Sequence, residues 1–314
     1  MASNEPESYK HEHEQCYKPD PEIKHLVISG GGPAGLLTYG AIQYLAKQYV
    51  WHLKNIKSIY GCSVGAYLAV VVSLGYDWDS LDDYFIKRPW NKMVNVSSIL
   101  FFEAFTEKGL LGEKLISNAI LPLLSAKELS ESITLSELYA YNHIDIHLFA
   151  TNLNTREISK VDISHTTHPT LSVIKAIMMS MAYPFAIKPV FIGEDCFIDG
   201  GLLNNYPLND CLASNKCEKD EILAFKNNWV IKDLKITQES SIIDMLLLLM
   251  LKMQQAIDTG PLQCDVKNTV CCLIENLDGF PEWLSAMATE DMRLKLIEKG
   301  IEQAKLFLQN IMQK

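Results

Sequence analysis

The chain has 314 residues, 48% of them hydrophobic and 21% charged, with a formal net charge of −10 at pH 7. That balance suits a folded globular protein and excludes a disordered polyelectrolyte. The negative charge argues against a nucleic-acid partner, and against an anionic membrane unless a local patch overrides it.

Residues 1–22 are a polar lead-in with His11 and His13, closing at Pro19-Asp20-Pro21. They hold no apolar signal-peptide core and are expected to be disordered. Eight cysteines without a C-x-x-C spacing speak against zinc. They fit free thiols in a reducing, cytoplasmic setting.

His25 to Ser29 reads as a short buried strand that stops at Gly30-Gly31-Gly32-Pro33-Ala34-Gly35. Leu36 to Tyr49 follows with Leu37, Ala41, Tyr44 and Leu45 at helical spacing. Strand, glycine run and helix in this order also resemble the opening of a flavin-binding dinucleotide domain. That domain needs an acidic residue about 20 positions on to hold the ribose. No Asp or Glu occurs from Ile23 to Tyr76, so the dinucleotide reading is kept only as a minor alternative. A glycine-rich turn with no ligand is another.

Ser58 to Tyr60 is a second strand, running into Gly61-Cys62-Ser63-Val64-Gly65. G-x-S-x-G between a strand and a helix lifts a serine hydroxyl clear of the backbone, where a substrate carbonyl can reach it. Val70 to Val72 favour strand by propensity, but that turn requires a helix over Ala66 to Leu74, and a helix is predicted.

Residues 76–135 look irregular, with an acidic stretch at Asp77 to Asp83, a break at Pro89-Trp90 and an aromatic cluster over Ile99 to Phe105. Strands are predicted at Ile146 to Thr151 and Glu157 to Asp162. A helix over Val173 to Ala182 ends before Pro184. Cys196 to Ile198 is a short strand that delivers Asp199 to the turn Asp199-Gly200-Gly201. Ile222 to Phe225 and Thr269 to Leu273 are late strands. The longest apolar run, Met245 to Leu251, stops at Lys252, well short of the about 20 residues a membrane span needs. It reads as a buried core helix. Met292 to Ile311 is amphipathic, with Ile297, Ile301, Ala304 and Leu308 on one face. Alternating strands and helices predict an α/β fold with a mainly parallel sheet, in one domain over residues 23–311.

The usual Ser–acid–His order of a hydrolase triad fits badly, because no histidine follows His168. His143, His147, His165 and His168 read as structural or surface residues. A carboxylate can serve as general base instead when its pKa and position suit the serine proton.

Taken together, these residues resemble the patatin-like phospholipases, whose members carry a glycine-rich oxyanion loop, then G-x-S-x-G, then D-G-G or D-G-A. Thr134 to Leu138, Phe149 to Thr155, Ala176 to Pro184 (with Ser180 at a motif serine) and Glu298 to Gly300 with Ala304 resemble further family segments. The resemblance implies a three-layer α/β/α sandwich with a mainly parallel central sheet. It implies Ser63 as nucleophile, Asp199 as base, and Gly30, Gly31, Gly32 and Gly35 as the oxyanion loop. Gly61 and Gly65 flank the nucleophile, and Gly200 and Gly201 form the turn beside the base. The expected activity is cleavage of lipid acyl esters, of phospholipase A or lysophospholipase type, at a membrane or micelle surface. An acyl-enzyme intermediate is implied, with neither metal nor cofactor. Ala34 stands where members often have Arg or Lys, and Cys62 where Thr is common. Phe101, Phe102, Phe105, Leu110 and Leu111 are either a cap or interfacial patch, or ordinary core. The alternative function is a catalytically silent lipid- or partner-binding module on the same fold.

Overall fold

The computed structural model describes residues 19, 21–90, 106–214, 217–229, 235–258, 264–275, 285 and 287–313. Most of the lead-in and the aromatic run 99–105 lie outside them. The chain order is β1 (His25–Ile28), α1 (Gly35–Lys47), β2 (Ser58–Cys62), α2 (Val64–Ser73), α3 (Trp78–Lys87), β3 (Gly109–Leu111) and α4 (Glu113–Ala126). Then come α5 (Leu135–Asn142), β4 (Asp145–Asn152), β5 (Ser159–Ile163), α6 (Val173–Met181), β6 (Phe185–Ile187), β7 (Val190–Ile192) and β8 (Asp195–Asp199). The remainder is α7 (Gly201–Asn204), α8 (Leu208–Ala213), β9 (Ile222–Trp229), α9 (Ile242–Asp258), β10 (Thr269–Ile274) and α10 (Glu290–Met312).

Strand alternation sorts the core onto two faces of one sheet. Leu26, Ile28, Ile59, Leu148, Ala150, Leu223 and Phe225 share a buried cluster with residues of α1, α2, α6 and α10. Val27, Tyr60, Cys62, Phe149 and Ala224 face the other way, against Tyr206 and against Leu208 and Cys211 of α8. Helices therefore cover both faces, as expected of an α/β sandwich. The strands β10, β9, β1, β2 and β4 run parallel, while β5 and β8 each pair antiparallel with β4 and β7 pairs antiparallel with β8.

One junction positions everything that follows. On β4, Leu148 and Phe149 pair with Gly61 and Cys62 of β2 along one edge, and with Ile163 and Asp162 of β5 along the other. β5 continues its edge to Asn152. Ala150 to Asn152 also pair with Asp199 to Phe197 of β8. A strand has only two edges, so β8 occupies the edge that β2 has just vacated. The two strands meet head-on, Cys62 opposite Phe149 and Asp199 opposite Ala150.

Two expectations need correction. The described part of residues 76–135 is largely regular: α3, β3, α4 and the start of α5 lie there. Asp77 caps α3 by accepting from Ser80 N, and α4 carries Pro122 inside it. The C-terminal end of α3 is fastened by buried Arg293 of α10. Its guanidinium donates to the carbonyls of Phe85 (3.1 Å), Arg88 (3.0 Å) and Met287 (2.8 Å). The run Met245 to Leu251 is helical but not a core helix. Leu251 is buried, whereas Met245 and Leu249 are about half exposed. The elbow did decide α2 correctly, because burial among apolar neighbours overrides the strand propensity of its valines.

Candidate active site

β2 ends at Cys62, and Ser63 occupies the turn into α2 with φ 54° and ψ −125°. A non-glycine residue held there stores about 1–3 kcal/mol of backbone strain and persists only where its surroundings fix it. Gly65 permits the tight turn. A Cβ at that position would lie 2.3 Å from the Ile28 carbonyl oxygen, so α2 packs directly onto β1. The strained turn aims Ser63 along the sheet edge toward β8, and Ser63 Oγ donates to Asp199 Oδ2 at 2.6 Å.

Asp199 is 1% exposed, and Gly201 N donates to its other oxygen, Oδ1, at 2.7 Å. Gly200 passes over the head-on junction so closely that a Cβ there would lie 2.1 Å from the Phe149 carbonyl oxygen. This accounts for glycine after the aspartate more directly than ordinary turn chemistry does. Burial raises the Asp199 carboxyl to about 6, against the opposing pull of the Ser63 hydroxyl and the Gly201 amide. At pH 7 about nine molecules in ten then carry the carboxylate. A buried carboxylate with one hydroxyl proton facing it is a competent general base.

The glycine loop lies alongside. The N–H of Gly30 is committed to the Asn205 carbonyl at 3.0 Å, and that of Ser63 to Ser180 Oγ at 2.9 Å. The amides of Gly31 and Gly32 have no hydrogen-bond partner among the described residues, and both residues line the same cavity as Ser63. Asn227 of β9 holds the loop. Its Nδ2 donates to the Gly30 carbonyl at 3.0 Å, its N–H to Ser29 Oγ at 2.8 Å, and its Oδ1 accepts from Thr38 Oγ1 at 3.0 Å. Sequence reading missed Asn227. The available signal was a buried polar residue interrupting the apolar run of β9.

Every predicted site residue falls in this one region, from the glycine loop through the elbow to the Asp199 turn. The histidines do not. His147 pairs with Tyr60 on β2, three residues before Ala150, or about 10 Å back along the strand. Its ring stacks on Tyr60 at 4.4 Å and its Nδ1 lies 2.9 Å from Asp162 Oδ2. Burial pulls its pKa down, but Asp145 and Asp162 lift it to about 9, which keeps it charged and unsuited to accept a proton. His165 stacks on Tyr139 at 3.8 Å and His168 contacts Thr167.

Ser63 and Asp199 open onto a cavity of about 440 Å³. Its walls include Tyr67, Phe85, Trp90, Leu115, Ile116 and Met181. Among the described lining residues Asp199 is the sole charged one. Ala34 is buried in a small apolar cluster with Ile274 and Trp229. The position at which members of the resembled family often carry Arg or Lys is therefore packed in hydrocarbon.

A family model described as patatin-like phospholipase matches residues 26–212, a span that includes the glycine loop, the elbow and the Asp199 turn. "Uncharacterized protein R571" of Acanthamoeba polyphaga mimivirus is 28% identical over 212 residues, 67% of this chain and 67% of its own length. "Probable lipid hydrolase 463L" of Invertebrate iridescent virus 6 is 25% identical over 210 residues, 66% of this chain and 68% of its own. Among solved structures, VipD from Legionella pneumophila overlaps 88% of this chain and 67% of its own, with 16% identity and a TM-score of 0.47.

Proposed function

The chain belongs to the patatin-like phospholipase family, and from that premise we propose that it is a lipid acyl hydrolase working through a Ser63–Asp199 dyad, within one domain over residues 23–311. The observation that carries this reading is the 2.6 Å bond from a strained serine to a buried carboxylate at the mouth of an apolar cavity. Asp199 takes the proton as Ser63 Oγ attacks the acyl carbonyl. The amides of Gly31 and Gly32 hold the oxyanion, each aimed donor contributing about 3–4 kcal/mol in the transition state. The positive end of α2 adds to the same field. Asp199 returns the proton to the leaving alkoxide, and the alcohol departs. A water then attacks the acyl-enzyme with Asp199 again as base, releasing the fatty acid and restoring the serine hydroxyl.

A cavity whose described lining is largely apolar and without a cation suits the acyl chain. Neutral acyl esters are accordingly expected to be better substrates than anionic phospholipids. Product analysis by mass spectrometry on a mixed lipid set tests this, and preferential turnover of anionic phospholipids would contradict it. The pH dependence tests the base. With Asp199 at about 6, kcat/KM rises about tenfold per pH unit below that value and levels above it. A midpoint near 4, the ordinary carboxylate value, would contradict the upward shift by burial, and a profile flat from pH 4 to 8 would remove Asp199 from the role.

The surface of α9 supports action at a lipid interface. Ile242, Met245, Leu249, Met253 and Ile257 recur at helical spacing and are all exposed, while Leu251 and Gln254 of the same helix line the cavity. An outward apolar stripe backing onto the active site fits a lipid surface. The net charge of −10 selects a zwitterionic surface over an anionic one. No helix among the described residues is long and apolar enough to cross a membrane. Attachment is then peripheral, and the seven described cysteines, all free, agree with a cytoplasmic setting. The double variant Leu249→Glu, Met253→Glu is expected to lower the ratio of vesicle-borne to water-soluble ester turnover by about tenfold or more. An unchanged ratio on phosphatidylcholine vesicles would remove α9 from the interface.

A further inference from the structure

Ser180 lies in the last turn of α6 and is 0% exposed. A serine hydroxyl has one proton to give and lone pairs to receive with. Here the proton goes to the Phe149 carbonyl at 2.6 Å, and the oxygen receives the Ser63 N–H at 2.9 Å. Phe149 is the last residue of β4 to pair with β2, opposite Cys62. The hydroxyl therefore fills the break in the ladder where β2 stops and β8 arrives. The backbone around it fastens the other strand. The Ser180 carbonyl accepts from Gly200 N at 3.4 Å, and the Ala182 carbonyl from Asp199 N at 2.9 Å. One end of α6 thus holds both strand tips. It grips the nucleophile through a side chain and the base through the main chain.

We propose that Ser180 is a positioning residue for the nucleophile, an inference that rests on the Ser63–Asp199 reading. Ser63 sits at φ 54°, and its N–H is held by the Ser180 hydroxyl at 2.9 Å. With the hydroxyl bound there, the Ser63 amide is turned from the cavity and the side chain is turned toward Asp199. Without it, a buried N–H and a buried carbonyl both lose their partner. The torsion relaxes, and the 2.6 Å approach of Oγ to the carboxylate opens. Ser180 touches neither substrate nor the transferred proton, so its effect falls on the chemical step and leaves binding alone.

The test compares wild type with Ser180→Ala and Ser180→Cys on a water-soluble short-chain ester, with active sites counted by fluorophosphonate titration. For Ser180→Ala, kcat per titrated site is expected to fall about 10- to 100-fold. KM is expected to stay within about twofold. The second-order rate of fluorophosphonate inactivation should fall by the same factor as kcat. Ser180→Cys, with a weak S–H donor of similar shape, should fall between the two. Counting sites separates poor folding from poor positioning. An unchanged kcat per titrated site with only a lower melting temperature would overturn the inference, since Ser180 would then be structural alone. So would a loss confined to KM. Ser63→Ala in the same assay tells the two levels apart. If it keeps full turnover, the dyad fails and this inference with it. If it is dead while Ser180→Ala is fully active, only the inference fails.

Discussion

Ser63→Ala is expected to bring ester hydrolysis down to background, a loss on the order of 10⁴- to 10⁶-fold if serine and base act as a unit. The fold should survive, because the side chain sits at the surface of the cavity and its hydroxyl is engaged in one hydrogen bond, to Asp199. That bond lowers the Asp199 pKa against the effect of burial, so its removal pushes the carboxyl further up. An intact far-ultraviolet spectrum and a melting temperature within a few degrees of wild type accompany the loss. Substantial turnover in this variant would take the nucleophile away from Ser63.

Asp199→Asn has the second largest effect, a fall of about 100-fold or more. The amide keeps the shape of the carboxyl. Its carbonyl stays with the Gly201 N–H, which needs an acceptor. Its NH₂ then faces Ser63 Oγ and turns the hydroxyl proton away, so attack has no acceptor. Stability moves in the opposite direction. The folded-state pKa of about 6 lies above the ordinary 3.8. The native state therefore binds more protons between those values, and the stabilisation present at low pH is lost as pH rises through 6. At pH 8 the buried charge opposes folding by about 3 kcal/mol. Asp199→Asn is accordingly expected to melt higher than wild type at pH 8, with the gap closing toward pH 4. Loss of activity together with a lower melting temperature at pH 8 would mean that the carboxylate is mainly a structural anchor.

What was legible in the chain is what is local along it. Gly61 to Gly65 after an apolar strand, and Gly30 to Gly35 after another, announce their turns by residue type, and the segments read as strands lie at β1, β2, β4, β5, β8, β9 and β10. The meeting of Ser63 with Asp199 is not local. It follows from an antiparallel strand that enters the edge of β4 beyond the end of β2. No periodicity in 195–199 distinguishes that placement from an ordinary parallel neighbour. Asn227 and Ser180 act through side-chain hydrogen bonds to segments far off in the chain, and neither the polar interruption of β9 nor the motif place of Ser180 says which partners they meet. The helices α3 and α4 escaped because Asp77 to Asp83 reads as an acidic stretch before a break at Pro89-Trp90, and 113–126 carries a proline. One acidic residue is the cap of α3, and Pro122 is accommodated inside α4. The outward stripe of α9 is hidden from any reading that assigns apolar residues to the core, a rule that fails when a face is reserved for something other than the protein.

The claim on which everything turns is that one serine, among many in the chain, is activated by a carboxylate far from it in sequence. The most direct measurement is peptide mapping of the folded protein after reaction with a fluorophosphonate, in which serine oxygen displaces fluoride from phosphorus. A single adduct on Ser63 is expected, absent in Asp199→Asn over the same reaction time, with hydrolysis lost in step with labelling. Adduct on another residue, or undiminished hydrolysis in protein fully labelled at Ser63, would contradict it.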